Sequence, residues 1–178
     1  AIFYNERLLR AGLSGAEILS KSPLGLALAN GWTPVSGPFR VTRTGDRQVT
    51  QIDGRPAFEV YEEFLSEQGI PYSEGTLPQV MLHHPIGICQ DDECKVGVLM
   101  GTDSSGALHM ASPPPKGSLI HILATQPDAM ITAAERAIHQ ALGVLDTPQC
   151  AGALFIDCVS TGMVLADAYE QQRSVVQS

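Results

Sequence analysis

The chain has 178 residues, 44% of them apolar, and a net charge of −8. That is enough apolar side chain for a sizeable core, and too acidic a balance for a nucleic-acid or anionic-membrane partner. Charges already fall among residues 2–10 and no apolar run reaches membrane-spanning length, so neither a signal peptide nor a transmembrane span is expected.

Four cysteines, Cys89, Cys94, Cys150 and Cys158, are too few to read as a disulfide scaffold in a chain able to build its own core, and a reducing cytoplasm is expected. In chain order, residues 8–19 and 24–29 are apolar stretches separated by Ser20-Lys-Ser-Pro23, which predicts two strands and a turn. Asn30-Gly31 breaks the second run. Trp32, the only tryptophan, follows and precedes a loop marked by Pro34, Gly37 and Pro38. It reads as a plug at the edge of a core, with the wall of a ligand site as its functional alternative.

Residues 39–42 and 48–52 flank Thr44-Gly45-Asp46-Arg47, the pattern of a hairpin. Pro56 then opens a helix to about Gln68, with Ala57, Phe58, Tyr61, Phe64 and Leu65 on one face and Gly69 as its stop. The opposite face carries Glu59, Glu62, Glu63 and Glu67, and it reads as a solvated face rather than a cation site. Residues 70–77 are loop-like and 79–84 form a short strand or a helical turn. Residues 96–100 and 107–111 surround Thr102-Asp-Ser-Ser-Gly106 as a second hairpin, and 119–124 form a buried strand. Thr125-Gln-Pro opens the longest helix, in which Met130, Ala133, Ala134, Ala137, Ile138, Ala141 and Leu142 recur at helical spacing up to Gly143. Residues 153–156 predict another strand that delivers Asp157 and Cys158 to its carboxyl end, with Ser160 capping a terminal helix. The sum is an α+β fold: a mostly antiparallel sheet packed by helices near 56–68, near 128–142 and from about 160.

A strand end that meets a helix amino terminus presents outward N–H donors, which makes Asp157, Cys158 and Ser160 the first candidates for a ligand site. The structural alternative is that Asp157 braces the turn and Cys158 is a small buried hydrophobe. His83-His84 with Cys89 and Cys94 is the most metal-like cluster, but its spacing is not a standard one and a surface loop is the preferred reading. A haem would need His83, His84, His109, His121 or His139 as axial ligand, and His121, inside the buried strand, is the most sheltered. Catalysis would rest on Cys158 as nucleophile with His121 or His84 as base; serine-hydrolase, phosphate-loop and zinc-protease motifs are absent from the sequence.

Three pieces resemble one family in their order and spacing. They are Gly31-Trp-Thr-Pro-Val35 followed by Val41-Thr42, Ile52-Asp-Gly-Arg-Pro-Ala57 leading to Tyr61, and Phe155-Ile-Asp-Cys-Val-Ser160 after the long helix. Together they are similar to the FIST sensory domain over roughly residues 24–167. The resemblance implies that residues 1–54 are the end of the family's amino-terminal half and 55–178 its carboxyl-terminal domain without the closing segment. Where the family often has an arginine after a serine like Ser160, this chain has Thr161. The resemblance further implies a cytoplasmic input module rather than an enzyme. Such a module binds a small, amino-acid-like ligand and passes the signal to a histidine kinase, chemoreceptor or cyclase. Some relatives bind haem and sense nitric oxide, which is the alternative for a chain otherwise expected to carry no cofactor. The expected ligand-binding residues are His121, Asp157, Cys158, Ser160 and Trp32.

Overall fold

The computed structural model describes residues 2–4, 7–9, 15, 17–90, 93–145 and 152–177. The expected first hairpin is present and longer than its sequence signal. β3 spans Thr33–Gly45 and β4 spans Gln48–Ile52, joined by a two-residue turn in which Arg47 takes φ 54°. β3 extends six residues earlier than the pattern predicts because its amino-terminal half pairs with β10 (Leu119–Ala124), although it contains Pro34 and Pro38. Each proline removes a donor, and the β3–β10 register is irregular along this stretch. Upstream, β1 (Ile2–Tyr4) and β2 (Arg7–Leu9) form a separate antiparallel pair.

The remaining elements are β5 (Arg55–Pro56), α1 (Ala57–Glu67), α2 (Leu77–His83), β6 (Ile86–Gln90), β7 (Glu93–Gly97), β8 (Leu99–Thr102) and β9 (Leu108–Met110). After β10 come α3 (Pro127–Leu142), α4 (Val159–Leu165), a 3-10 turn at Ala166–Ala168 and α5 (Tyr169–Gln177). The main sheet runs β7-β6-β10-β3-β4-β9-β8, with β5 on β4, and its pairings are antiparallel. This is the expected α+β fold. β7 and β8 sit at opposite edges of that order yet are separated in sequence by Val98 alone, so the sheet curls until its two edges meet. Gly97 marks the seam: a Cβ there would lie 2.5 Å from Cε of Met110 in β9.

The main core fills the curl. Val41, Val49, Ile52, Ile86, Leu108, Met110, Ile120 and Ile122 from the strands meet Tyr61, Phe64, Leu65 and Met81 from α1 and α2. The α1 face is the one its periodicity predicts, except that Val60 is added and Phe58 is only half-buried against it. A smaller cluster of Met130, Val164 and Leu165, with Trp32, Leu82, Ala168 and Tyr169, joins α3, α4 and the 3-10 turn.

Four expectations need correction. Residues 24–29 form no strand, and Leu24, Leu26 and Leu28 are exposed. Residues 153–156 form no strand either, with Leu154 and Ile156 exposed. Apolar content marks a segment that needs covering but does not supply the neighbour a strand requires, and neither segment has one among the described residues. The terminal helix is not continuous: Ala166 at φ 47° and ψ −116° breaks it after α4. Finally, the region around Cys89 and Cys94 is not a loop but the hairpin β6–β7. Of the expected strand over 8–19, residues 10–14 and 16 lie outside the described residues, and only Arg7–Leu9 is a strand.

The alternation along β10 gives a test of the packing. Ile120 is fully buried whereas its neighbour Leu119 is 46% exposed. Ile120→Ala is expected to cost about 2–5 kcal/mol by chemical denaturation and Leu119→Ala under about 1 kcal/mol.

Candidate functional site

Trp32 is placed by hydrogen bonds to the residues around it. Its N–H donates to Oδ1 of Asn30 (3.1 Å), Nδ2 of Asn30 donates to the Cys94 carbonyl (2.8 Å), and Oγ1 of Thr125 donates to the Gly31 carbonyl (2.6 Å). Gly31 allows the close approach. A Cβ there would lie 2.5 Å from the Met130 nitrogen and 2.6 Å from the Ala129 carbonyl carbon, against the first turn of α3, so no side chain fits. The half-buried indole then reaches the cluster of Met130, Val164 and Leu165.

The same cluster anchors α4, whose start carries the other candidates. The Cys158 N–H donates to Oδ1 of Asp157 (2.8 Å), Sγ of Cys158 lies 2.9 Å from Oγ of Ser160, and the Thr161 N–H donates to the Cys158 carbonyl (2.9 Å). Oδ2 of Asp157 is buried and has no partner among the described residues. Ser160 does not cap the helix as expected. α4 begins at Val159 with Cys158 at the cap position and no side-chain cap bond. Cys158 is exposed rather than buried, and it sits after a coil rather than at a strand end.

His121 is elsewhere. It lies on β10 opposite Gly87 of β6, half-buried, and a Cβ on Gly37 would come within 3.3 Å of its Nδ1. Gly37 takes φ 106°, so glycine is required there on backbone grounds as well. The structure therefore joins Trp32 to the carboxyl-terminal end of α4, at Val164 and Leu165, and leaves His121 on the sheet. Among the described residues no hydrogen bond or ion pair links His121 to the turn at 157–160.

The metal-like cluster dissolves on inspection. Cys89 and Cys94 are directly opposite across β6–β7 and bonded to each other, correcting their reading as free thiols, and the bond leaves no thiolate for a metal. His84 packs edge-on against Phe64 at 5.7 Å; burial, helped by His83, holds its imidazole below the ordinary value. Among the described residues no group of three His, Cys, Asp or Glu side chains converges as a cation site.

Two features escaped the sequence reading. A cavity of about 390 Å³ is lined by Arg43, Gln48, Thr50, Gln51 and Ser105 among others, and a second of about 290 Å³ lies between β3 and α1 beside Gly37, Phe39, Glu63 and Phe64. Polar residues on paired strands and a helix face carry no local signal that they share a cleft. Beside the first cavity, Asp103 accepts from Oγ of Ser105 (2.5 Å) and lies 2.7 Å from Nε2 of His109. These bonds hold its carboxyl well below the usual carboxylate range. The carboxylate stands between hydroxyl and imidazole, so the imidazole does not activate the serine, and the arrangement is a braced turn rather than a nucleophile.

If the backbone contact at Gly31 sets the Trp32 position, Gly31→Ala should destabilise the fold by about 1–3 kcal/mol and shift the emission of the single tryptophan; an unchanged spectrum would show that the contact is not what places the indole.

The family model of the FIST N domain matches residues 1–55 and that of the FIST C domain matches residues 57–178. No curated protein and no solved structure matches the chain. No described helix is long and apolar enough to cross a membrane. The Gly31–Trp32 segment lies in the first matched region and the turn at 157–160 in the second, and with the FIST C domain alone accounting for more than half its length, the chain belongs to the FIST family of sensory domains in signal transduction.

Proposed function

We propose that this domain is the input module of a signalling protein and binds a small, amino-acid-like ligand beside Trp32 and the turn at Asp157, Cys158 and Ser160. The observation that supports this reading is the divided state of the Asp157 carboxylate. One oxygen accepts from the Cys158 N–H, while the other is buried without a partner among the described residues. A buried, unpartnered carboxylate oxygen is costly, and an incoming ammonium group would offset that cost with a charge-assisted hydrogen bond. Trp32 offers an apolar wall, and the Ser160 hydroxyl and the first N–H groups of α4 offer donors for a ligand carboxylate.

In this reading residues 1–54 and 55–178 are the two family halves, the location is cytoplasmic, and the output is a histidine kinase, chemoreceptor or cyclase. Catalysis is not proposed. The group against Sγ of Cys158 is the Ser160 hydroxyl, which is no base at neutral pH. A cytoplasmic location would set the Cys89–Cys94 bond against a thiol pool that keeps most such bonds reduced.

The test is a thermal-shift and tryptophan-fluorescence screen of the free amino acids and haem against the chain, Asp157→Ala and His121→Ala. An amino acid is expected to raise the melting temperature of the parent and of His121→Ala, and to bind Asp157→Ala at least about tenfold more weakly, the equivalent of 1.4 kcal/mol. Equal stabilisation of all three proteins would place the site elsewhere. A haem complex lost only in His121→Ala would replace the amino-acid reading with the haem one, and turnover dependent on Cys158 would make the protein an enzyme.

A further inference from the structure

The Cys89–Cys94 bond is poorly placed as a staple. It joins residues directly opposite each other on the hairpin β6–β7, which the strand ladder already holds together, and it closes a loop with a sequence separation of only 5. A disulfide stabilises by restricting the unfolded chain, and that contribution shrinks with the loop it closes. The chain also has an apolar core of its own, unlike the small domains that depend on such bonds. What the bond does locally is draw the two Cα atoms to 4.0 Å, where unbridged partners in an antiparallel pair stand about 4.5–5.5 Å apart. Reduction therefore lets β7 step back from β6.

A step at Cys94 has a defined route inward. The Cys94 carbonyl accepts from Nδ2 of Asn30 (2.8 Å), and Oδ1 of the same amide accepts from the Trp32 N–H (3.1 Å). Both ends of one side chain are thus occupied, one by the backbone of β7 and the other by the backbone of the tryptophan. Neighbouring Glu93 adds a second tie: its Oε1 lies 3.2 Å from Nη2 of Arg136 on α3, and its Oε2 lies 3.5 Å from Nδ2 of Asn30. The first tie ends at the cluster of Met130, Val164 and Leu165 that the indole joins, and the second on the helix that carries Met130.

We propose that Cys89 and Cys94 form a reversible redox site for low-molecular-weight thiols and disulfides, and that Asn30 transmits its state to Trp32. Cys89 is half-buried and Cys94 only 6% exposed, so Cys89 is the sulfur open to attack. A small thiolate forms a mixed disulfide with Cys89, the Cys89–Cys94 bond breaks, and Cys94 leaves as a thiolate that takes up a proton. A second small thiolate then attacks the sulfur of the first, releasing the small disulfide and the Cys89 thiolate, which is protonated in turn. The protein gains two electrons and two protons, and two small thiols become one disulfide. With the bond gone, the Cys94 carbonyl retreats from Asn30 and the backbone at Trp32 loses its brace. No amino-acid ligand is needed for this response.

Glutathione buffers of stepped reduced-to-oxidised ratio, applied to the chain carrying Cys150→Ser and Cys158→Ser, test this directly. Alkylation followed by mass measurement counts the free thiols, and the emission wavelength of the single tryptophan reports its surroundings. The two readings are expected to move together and reversibly, with emission shifting to longer wavelength as the pair is reduced. Cys89→Ser combined with Cys94→Ser should hold the reduced wavelength in every buffer. Asn30→Asp keeps the acceptor for the Trp32 N–H and removes the donor to Cys94, so its thiols should titrate as in the parent with the emission shift lost. Should Asn30→Asp fail to fold, hydrogen exchange at the Trp32 amide of the parent, expected to quicken several-fold on reduction, supplies the second reading. A bond that resists reduction until the chain unfolds, an emission wavelength or a Trp32 exchange rate indifferent to the thiol count, or a shift that survives in Asn30→Asp overturns the proposal.

Discussion

One strand has to serve two half-sheets. β3 pairs with β10 from Thr33 to Arg40 and with β4 from Val41 to Gly45, so every element on either side depends on the path it takes between them. The pivot is braced from both flanks. Val41 donates to the Ser118 carbonyl and accepts from Gly117, and the N–H of Arg40 donates to the Asp53 carboxylate. Val41 itself is fully buried, which ties the pivot to the α1–α2 core by side-chain packing as well as by backbone bonds. Because β3 starts immediately after Trp32, its position also sets where the indole meets α3 and α4. The region matched by the FIST N model, residues 1–55, therefore contributes two interior strands, β3 and β4, to a sheet whose other members, apart from the two-residue β5 at the junction, come from the region matched by the FIST C model.

The parts of this fold that are legible in the sequence are those where one element carries its whole signal. α1 and α3 announce themselves by apolar periodicity, by proline at the start and by glycine just beyond the end, and both lie within a residue or so of the expected limits. The β3–β4 hairpin is readable from its turn. What is not legible is anything decided by a distant neighbour. The amino-terminal half of β3 looks like a loop because Pro34, Gly37 and Pro38 speak against a strand, and only β10 makes it one. Residues 24–29 and 153–156 look like strands because their composition suits one, yet no strand lies beside them among the described residues.

The disulfide was within reach of the sequence. Cys89 and Cys94 stand five positions apart, a separation that the β6–β7 register turns into a directly opposite pair, with Gln90 facing Glu93. Local reasoning put Asp157 at a strand end that does not exist, and it could not foresee that one of its oxygens would be buried unpaired. His121 lies in the strand the sequence predicts but is only half-buried there, beside Gly37.

The central claim is that β3 makes the two matched regions one cooperative unit. Native-state hydrogen exchange tests it most directly, since it resolves the opening free energy of each amide. The account predicts that the protected amides of β3 and β4, residues 33–52, open with the same free energy as those of β9 and β10. Opening of residues 33–52 at a distinctly lower free energy, while residues 86–124 stay protected, would contradict it.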